Sequence, residues 1–598
     1  MNQGSNKSTE QPGSQSIFIR HRLRTFPTIA AFRAIAASWL WLAAPCVYAQ
    51  EAAASLAPMP TASELESRGT VIGDIHVIGA NIFDTTIPED DKSIFRLANR
   101  LHVRTGADVI RSQLLVKSGD PFKLALLRES ERILRSNDYL YDADIVPVNY
   151  RDGKVDLEVH TRDVWTLKPG ISFSRSGGAN STRFEIEESN LFGRGKDIDV
   201  EHNSDVDRDS TRLQYNDPHV WGSWYQFSGA YSQNSDGRLR SLSLLHPFYS
   251  LDTRVAGSVG AIDWNRIDSR YDRGKVIDQF RHSEENVEFW LGHSNGVIGG
   301  NAWRWTYGMA YESDRFARSV GSTPGILLPE DRRLGYPFVD VTMIQDRFEE
   351  RHNEQQIDRT EDLYSGSLLR ARVGWATSIL GSDRSAALIT IEGARTFEMG
   401  PRNTLLLSAA ANGRLEDLSL RNGSLSMGAQ YLWRTAAKQL FYAALNTTIT
   451  HRLDAENQLL LGGDKATSIY PLQFANYGSA ENRLLIGPDN TLRGYPLRYQ
   501  DGSSLALLTL EHRIYTGWYL FRLFHVGGAA FFDMGRTWGR GNGAMANEGT
   551  LKDVGIGLRL GQSRSAFGNV IHVDLAFPLN GDSSINKMQF LVQTKHSF

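Results

Sequence analysis

The chain of 598 residues holds one cysteine, Cys46. It falls in a segment read below as removed on export, so the mature chain has no disulfide framework, no thiol metal site and no cysteine nucleophile. A basic excess is lacking too: 65 Lys and Arg stand against 68 Asp and Glu, a formal net charge of -3. That excludes the positive field nucleic acid demands. Past Gln50 there is no apolar run of 18 or more residues, which excludes transmembrane helices. H-E-x-x-H does not occur, so zinc-peptidase chemistry has no motif here. "GRGK" at 193–196 lacks the upstream glycine and the Ser or Thr of a phosphate loop, and reads as a turn. Asp205, Asp207 and Asp209 are spaced like a calcium loop, but Ser210 replaces the required glycine and Asn216 stands at the twelfth position, so a solvated loop is expected. No enzyme activity, cofactor or metal is expected.

What is present begins with a leader. Arg20, Arg22, Arg24 and Arg33 precede an apolar run and then "VYAQ", the pattern of a secretory signal peptide over 1–49, cut after Ala49. Pro45 before Cys46 fits lipoprotein processing poorly. Residues 50–68 are rich in Ala, Ser and Pro and read as a flexible linker.

Over 69–169 the pattern is strand, helix, helix, strand, strand. "VIGDIHVIG" alternates as a strand, and 93–100 is a short helix candidate. Asp120 and Pro121 read as an N-cap and first-turn proline of a helix reaching about Ser136. Two alternating runs follow, joined by "RDGK", a hairpin signal. Together they predict a small α+β domain.

From 170 to 598 short alternating runs are broken by Gly, Asn, Asp and Ser. A transmembrane strand takes about 9 to 11 residues, so 16 strands fit with room for loops. The last five runs are the most legible. Ala506, Leu508, Leu510 and Ile514 oppose Glu511 and Arg513; Val526, Ala530, Phe532 and Met534 oppose His525 and Asp533. Ile556 and Leu558 oppose Arg559, Val573 and Leu575 oppose His572 and Asp574, and Phe590 and Val592 oppose Gln589 and Gln593. A charge facing lipid at mid-bilayer costs about 2–4 kcal/mol, so the charged faces are expected to line a wet lumen.

Two resemblances attach to these residues. "LLVKSGDPFKLALLRESERILRSNDYLYDADIVPV", with Gly119, Asp120, Pro121, Leu134, Arg135 and Tyr139, resembles the POTRA module, a periplasmic polypeptide-binding domain. "SNLFGRGKDIDV", "LQYNDPHVWGS", "LRGYP", "FFDMGRTWG", "GIGLRL" and "VDLAFP" occur in the order seen in the BamA/TamA outer-membrane assembly superfamily, which the chain resembles. That resemblance implies a mainly β protein: a 16-stranded antiparallel transmembrane barrel behind one POTRA-like domain, in the bacterial outer membrane. It implies that Leu492, Arg493, Gly494 and Tyr495 form the inward-folded loop 6 motif, with Arg493 pairing with Glu511 and Asp533. Phe531, Asp533 and Gly535 match the strand 13 motif. Phe590, Val592 and the terminal Phe598 match a C-terminal signal read by the assembly machinery that would insert this barrel. Implied partners are unfolded client polypeptides and outer-membrane lipid, and the implied work is insertion or translocation of those clients. A dedicated secretion pore for one partner protein, or a passive pore or adhesion barrel, stands as the alternative. The first strand, near 171–175, reads as short and is followed by "SGGANS", which predicts few ladder bonds to the last strand.

Overall fold

The computed structural model describes residues 59–352, 360–463, 491–521, 523–539, 549–562, 570–583 and 585–595. The leader, with Cys46, and Phe598 lie outside the described residues.

Thr61 and Glu64 form a reciprocal capping box, and helix α1 (Ala62–Ser67) follows with Leu65 fully buried. The linker expected over 50–68 therefore ends early, because two capping residues and one buried leucine suffice to set a turn and a half of helix. Strand β1 (Val71–Ala80), helices α2 (Ser93–Leu101), α3 (Ala107–Ser112) and α4 (Leu124–Arg135), and strands β2 (Leu140–Arg151) and β3 (Lys154–Asp163) complete the α+β module. The sheet order is β1-β3-β2, with β1 parallel and β2 antiparallel to β3. Asp152 and Gly153 turn the β2–β3 hairpin at φ 50° and 74°. Helix α4 starts at Leu124, not at the expected Asp120–Pro121 cap. Asp120 instead takes the Lys117 amide at 2.8 Å, and Pro121 bridges to Val71 at the sheet edge. Ile72, Leu127, Leu134, Val155, Leu157 and Val159 meet in its core.

The remainder closes into an antiparallel barrel of 20 strands. The expectation of 16 is corrected. One reason is that a tight connection can lack a turn signal: Asp417–Leu418 takes positive φ at both residues with no glycine to mark the turn. Strands reach 24 residues, as in Lys275–Ile298. The first strand, Leu167–Ser176, has ten residues instead of the expected short run, and begins before the domain boundary expected at 170.

Side chains alternate as the pattern requires. From Leu505 to Tyr515 and from Gly527 to Thr537 the odd residues are buried in the lumen, while apolar residues such as Leu242, Leu291, Tyr307, Val373, Ile556 and Leu558 are exposed outward. Adjacent strands elsewhere in the wall pair over seven or more residues, as in Phe338–Gly374 through Ile344–Leu368. At the seam between the last strand (Gln589–Lys595) and the first, one facing pair is formed among the described residues, Val592 with Arg175.

The module is tied to one rim of this barrel. The Gly106 amide donates to Gly193 O at 2.8 Å and Asn190 to the Thr105 hydroxyl at 2.9 Å, both at the turn after the second strand (Ala179–Glu188). Glu129 accepts the Leu251 amide at 2.9 Å. Arg135 makes a two-pronged bond to Asp362 at 2.7 and 2.9 Å and reaches Glu350 at 3.0 Å, both on the rim hairpin of Phe348–His352 and Thr360–Tyr364.

Candidate functional site in the barrel lumen

Residues 452–503 join the fifteenth strand (Gln439–His451) to the sixteenth (Ser504–Leu520) on the rim opposite the module. Their loop is the eighth on that rim, where a sixth was expected, because four strands precede it beyond the expected number. Its described end turns inward. Leu492 is fully buried among Leu459, Leu461, Tyr499, Leu505 and Leu507, which draws the backbone against the wall.

Arg493 then meets the two acids expected for it. Its Nε and Nη2 donate to Asp533 at 2.6 and 3.0 Å, and its Nη1 to Glu511 at 2.8 Å. The planar guanidinium serves two carboxylates at once, which the single ammonium of lysine cannot do with the same geometry. Its face lies 3.3 Å from the centre of the Phe531 ring, so the aromatic of the expected strand motif forms the floor of the site. Gly535 lies further along the same strand, facing Leu507. The Gly494 amide donates to Asp553 at 2.9 Å, and a Cβ there would stand 2.5 Å from the Asp553 Cβ; only glycine permits this approach. The Tyr495 hydroxyl bonds the Lys552 and Asn580 carbonyls at 2.8 and 2.9 Å.

Several partners were not anticipated. Arg559 is fully buried between Asp574, at 2.5 Å, and Glu511, at 3.3 Å, and Arg513 donates to the other oxygen of Glu511 at 3.0 Å. Three guanidiniums thus stand among Glu511, Asp533, Asp553 and Asp574, almost without solvent. The parity of the strands already placed Arg559 and Asp574 on the lumen face; what parity lacks is the stagger that brings them to the level of Glu511.

The loop does not stop at Arg493. The Leu497 amide donates at 3.3 Å to Gly177 O, at the tip between the first two strands, where a Cβ on Gly177 would meet Leu497 N at 2.3 Å. Arg498 bonds both oxygens of Asp207 at 2.6 and 2.7 Å and also reaches the Tyr271 hydroxyl. Asp207 lies in an exposed loop as expected, and it also anchors Arg498; the signal that could have found that contact is the second arginine of "LRGYPLR". Residues 493 to 498 consequently walk from the sixteenth and seventeenth strands, past the eighteenth, to the first hairpin and beyond. They cross the seam from inside. The loop's other end is held as well: Asp454 is bonded by Arg332 at 2.9 Å and by Arg414 at 2.7 and 2.9 Å. Beside these residues lies a cavity of about 460 Å³, lined among others by Asp268, His282, Asp314 and Arg332.

At the chain's end, Phe590 faces outward on the last strand, with Gln589 and Leu591 buried on the opposite face. Val592 has the same parity as Phe590 and supplies the seam pair.

No protein-family model matches the chain, and no curated protein matches it. Among solved structures it is similar to BamA from Haemophilus ducreyi lacking POTRA domains 1-3, at 11% identity over 87% of this chain and 84% of that one, with a TM-score of 0.33. It is similar to CdiB from Acinetobacter baumannii at 11% identity, 88% and 73% coverage and a TM-score of 0.39. CdiB from Escherichia coli gives 11%, 88% and 77%, and 0.43. At these scores the likeness carries no weight beside the strand order and lumen chemistry described above.

Proposed function

We propose that this chain is an outer-membrane barrel that takes unfolded client polypeptides from the periplasm and passes them into or across the membrane. The observation that carries the reading is the seam. A wall paired over seven or more residues elsewhere is joined here, among the described residues, by one pair, and a strap of loop residues crosses the gap from the lumen side. Unpaired N–H and C=O groups at such an edge are a template for an incoming strand. The outward apolar band supports a barrel set in lipid, and in this reading the α+β module, read as POTRA-like, meets clients at the periplasmic rim. A simple passive pore has no use for such a module. Export of one dedicated partner protein is the alternative form of this reading.

The test is to close the seam. Arg175 and Val592 face each other, and no cysteine occurs past residue 46, so Arg175→Cys with Val592→Cys offers one disulfide and no competitor. Oxidised, the variant is expected to keep its folded barrel and lose client delivery, judged by outer-membrane and secreted protein levels in cells, with recovery on reduction. Undiminished delivery with the crosslink verified would overturn the proposal in favour of a passive barrel.

A further inference from the structure

Helix α2 of the module has three sectors. Phe95 and Ala98 pack inward against Ile82 and Phe83. Ile94, Leu97 and Leu101, at the i, i+3, i+7 spacing of a single stripe, face away from that core and are 66, 53 and 64% exposed. Val103 continues the stripe at 55%. These are the exposures of the barrel's own outward residues, such as Ile186 at 60% and Leu242 at 56%. A third sector is basic: Lys92, Arg96 and Arg100 recur every fourth residue and Arg104 follows, with no acid between 92 and 104; Arg96 is paired at 2.6 Å with Asp91, just ahead of the helix, both side chains remaining about half exposed.

Two observations decide what covers the stripe. The first is continuity. Val103 and Arg104 press on the turn at Gly193, whose Cβ, if it had one, would lie 2.4 Å from Arg104 O and 3.3 Å from a Val103 methyl. Phe192, the residue before it, is 78% exposed and held at φ 55°, a conformation that costs a bulky residue energy. The stripe therefore leads to the periplasmic edge of the barrel's apolar band, beside the seam. The second is charge. A row of cations flanking an apolar stripe suits the anionic headgroups of a phospholipid leaflet, each basic residue adding about 1 kcal/mol of attraction, a factor of about 5.

We infer that α2 is an interfacial helix that lies in the periplasmic leaflet next to the seam, with Ile94, Leu97 and Leu101 in the acyl boundary and Lys92, Arg96, Arg100 and Arg104 among anionic headgroups. The inference rests on the membrane-barrel reading above. It gives the module a second contact besides its ties to the rim: lipid at the place where a client strand would enter.

Depth-dependent quenching tests it. The full chain is reconstituted in vesicles of brominated phosphatidylethanolamine and phosphatidylglycerol, with an environment-sensitive fluorophore on Leu97→Cys or, as a reference, on Leu242→Cys in the wall. Both labels are expected to be quenched. Replacing phosphatidylglycerol by a zwitterionic lipid, or reversing Lys92, Arg96 and Arg100 to Glu, is expected to lower quenching at 97 at least about fivefold and leave 242 unchanged. A label at 97 that stays in water while 242 is quenched overturns the inference. So does one that leaves water only when an unfolded polypeptide is added, which would assign the stripe to the client. A label at 242 that is not quenched overturns the membrane-barrel reading and the inference with it.

Discussion

Two arginines reach out of their own segments to a pair of acids each, and their surroundings differ. Arg493, from the loop, has 4% of its side chain exposed and meets Glu511 at 4% and Asp533 at 0%. Arg135, from the module, is 8% exposed but meets Asp362 at 14% and Glu350 at 59%. The chemistry is the same and the solvent is not. Breaking the lumen contact strands carboxylates away from water, whereas breaking the rim contact leaves acids that water can take over. The first arrangement suits a permanent anchor, the second a latch that opens and closes.

Removing each arginine tests that contrast. Arg493→Ala is expected to cost the most, about 3–5 kcal/mol, because Glu511 and Asp533 lose a guanidinium in a nearly dry site. The measure is the fraction of barrel that still shows a heat-dependent shift in electrophoretic mobility. Arg493→Lys should recover part of the loss. The double variant with Asp533→Ala should be little worse than either single, since both break one contact. Strict additivity would mean that the two residues act independently and that the anchor has been misread.

Arg135→Ala is expected to cost less, about 1–2 kcal/mol, and to be felt elsewhere. The heat shift of the barrel should be unchanged, while the distance between spin labels at Arg128→Cys on the module and Met399→Cys on the rim should broaden. A distribution as narrow as that of the parent would mean that the other rim contacts hold the module unaided.

The smallest effect is expected at Glu131, one turn before Arg135. Burial pushes its carboxyl up to about 7, against the pull of the Ile145 amide and Arg135. The folded module therefore holds this proton more tightly than the unfolded chain. Stability from the site is complete below the usual carboxyl value and is lost as pH rises through about 7. Glu131→Gln, which can still accept from Ile145, should stabilise the module by about 1 kcal/mol at pH 8, a figure reduced for solvent screening. It should also flatten the dependence below pH 7, read as amide-exchange protection in β2 after correction for intrinsic rates. Parallel profiles for variant and parent would remove Glu131 from the account.

Legibility followed physical simplicity. In the last strands one face is apolar and the other polar, so the period of two placed Glu511, Asp533, Arg559 and Asp574 on the lumen side. Turns with glycine could be read, as at Asp152–Gly153. Asp417–Leu418, which takes similar left-handed angles with no glycine to mark them, cannot, and the strands around it are legible only as a number that falls short. Level was illegible throughout: period tells which face a residue takes, while the stagger of pairing decides which charges meet. Hence Arg493 found its acids through a motif, and Arg498 with Asp207, joined across almost 300 residues of chain, was missed.

The strap has a kinetic consequence for the seam. From Arg493 to Leu497 is four peptide steps, about 14 Å when extended, and the two ends hold wall segments on opposite sides of the gap. Two edges joined by so short a tether see each other at an effective concentration on the order of millimolar or above, whatever the strength of the ladder between them. Once parted, they re-pair as an intramolecular event. If the proposed function holds, a client strand inserting there must outcompete a neighbour that never leaves, and one that fails is expelled as the gap heals.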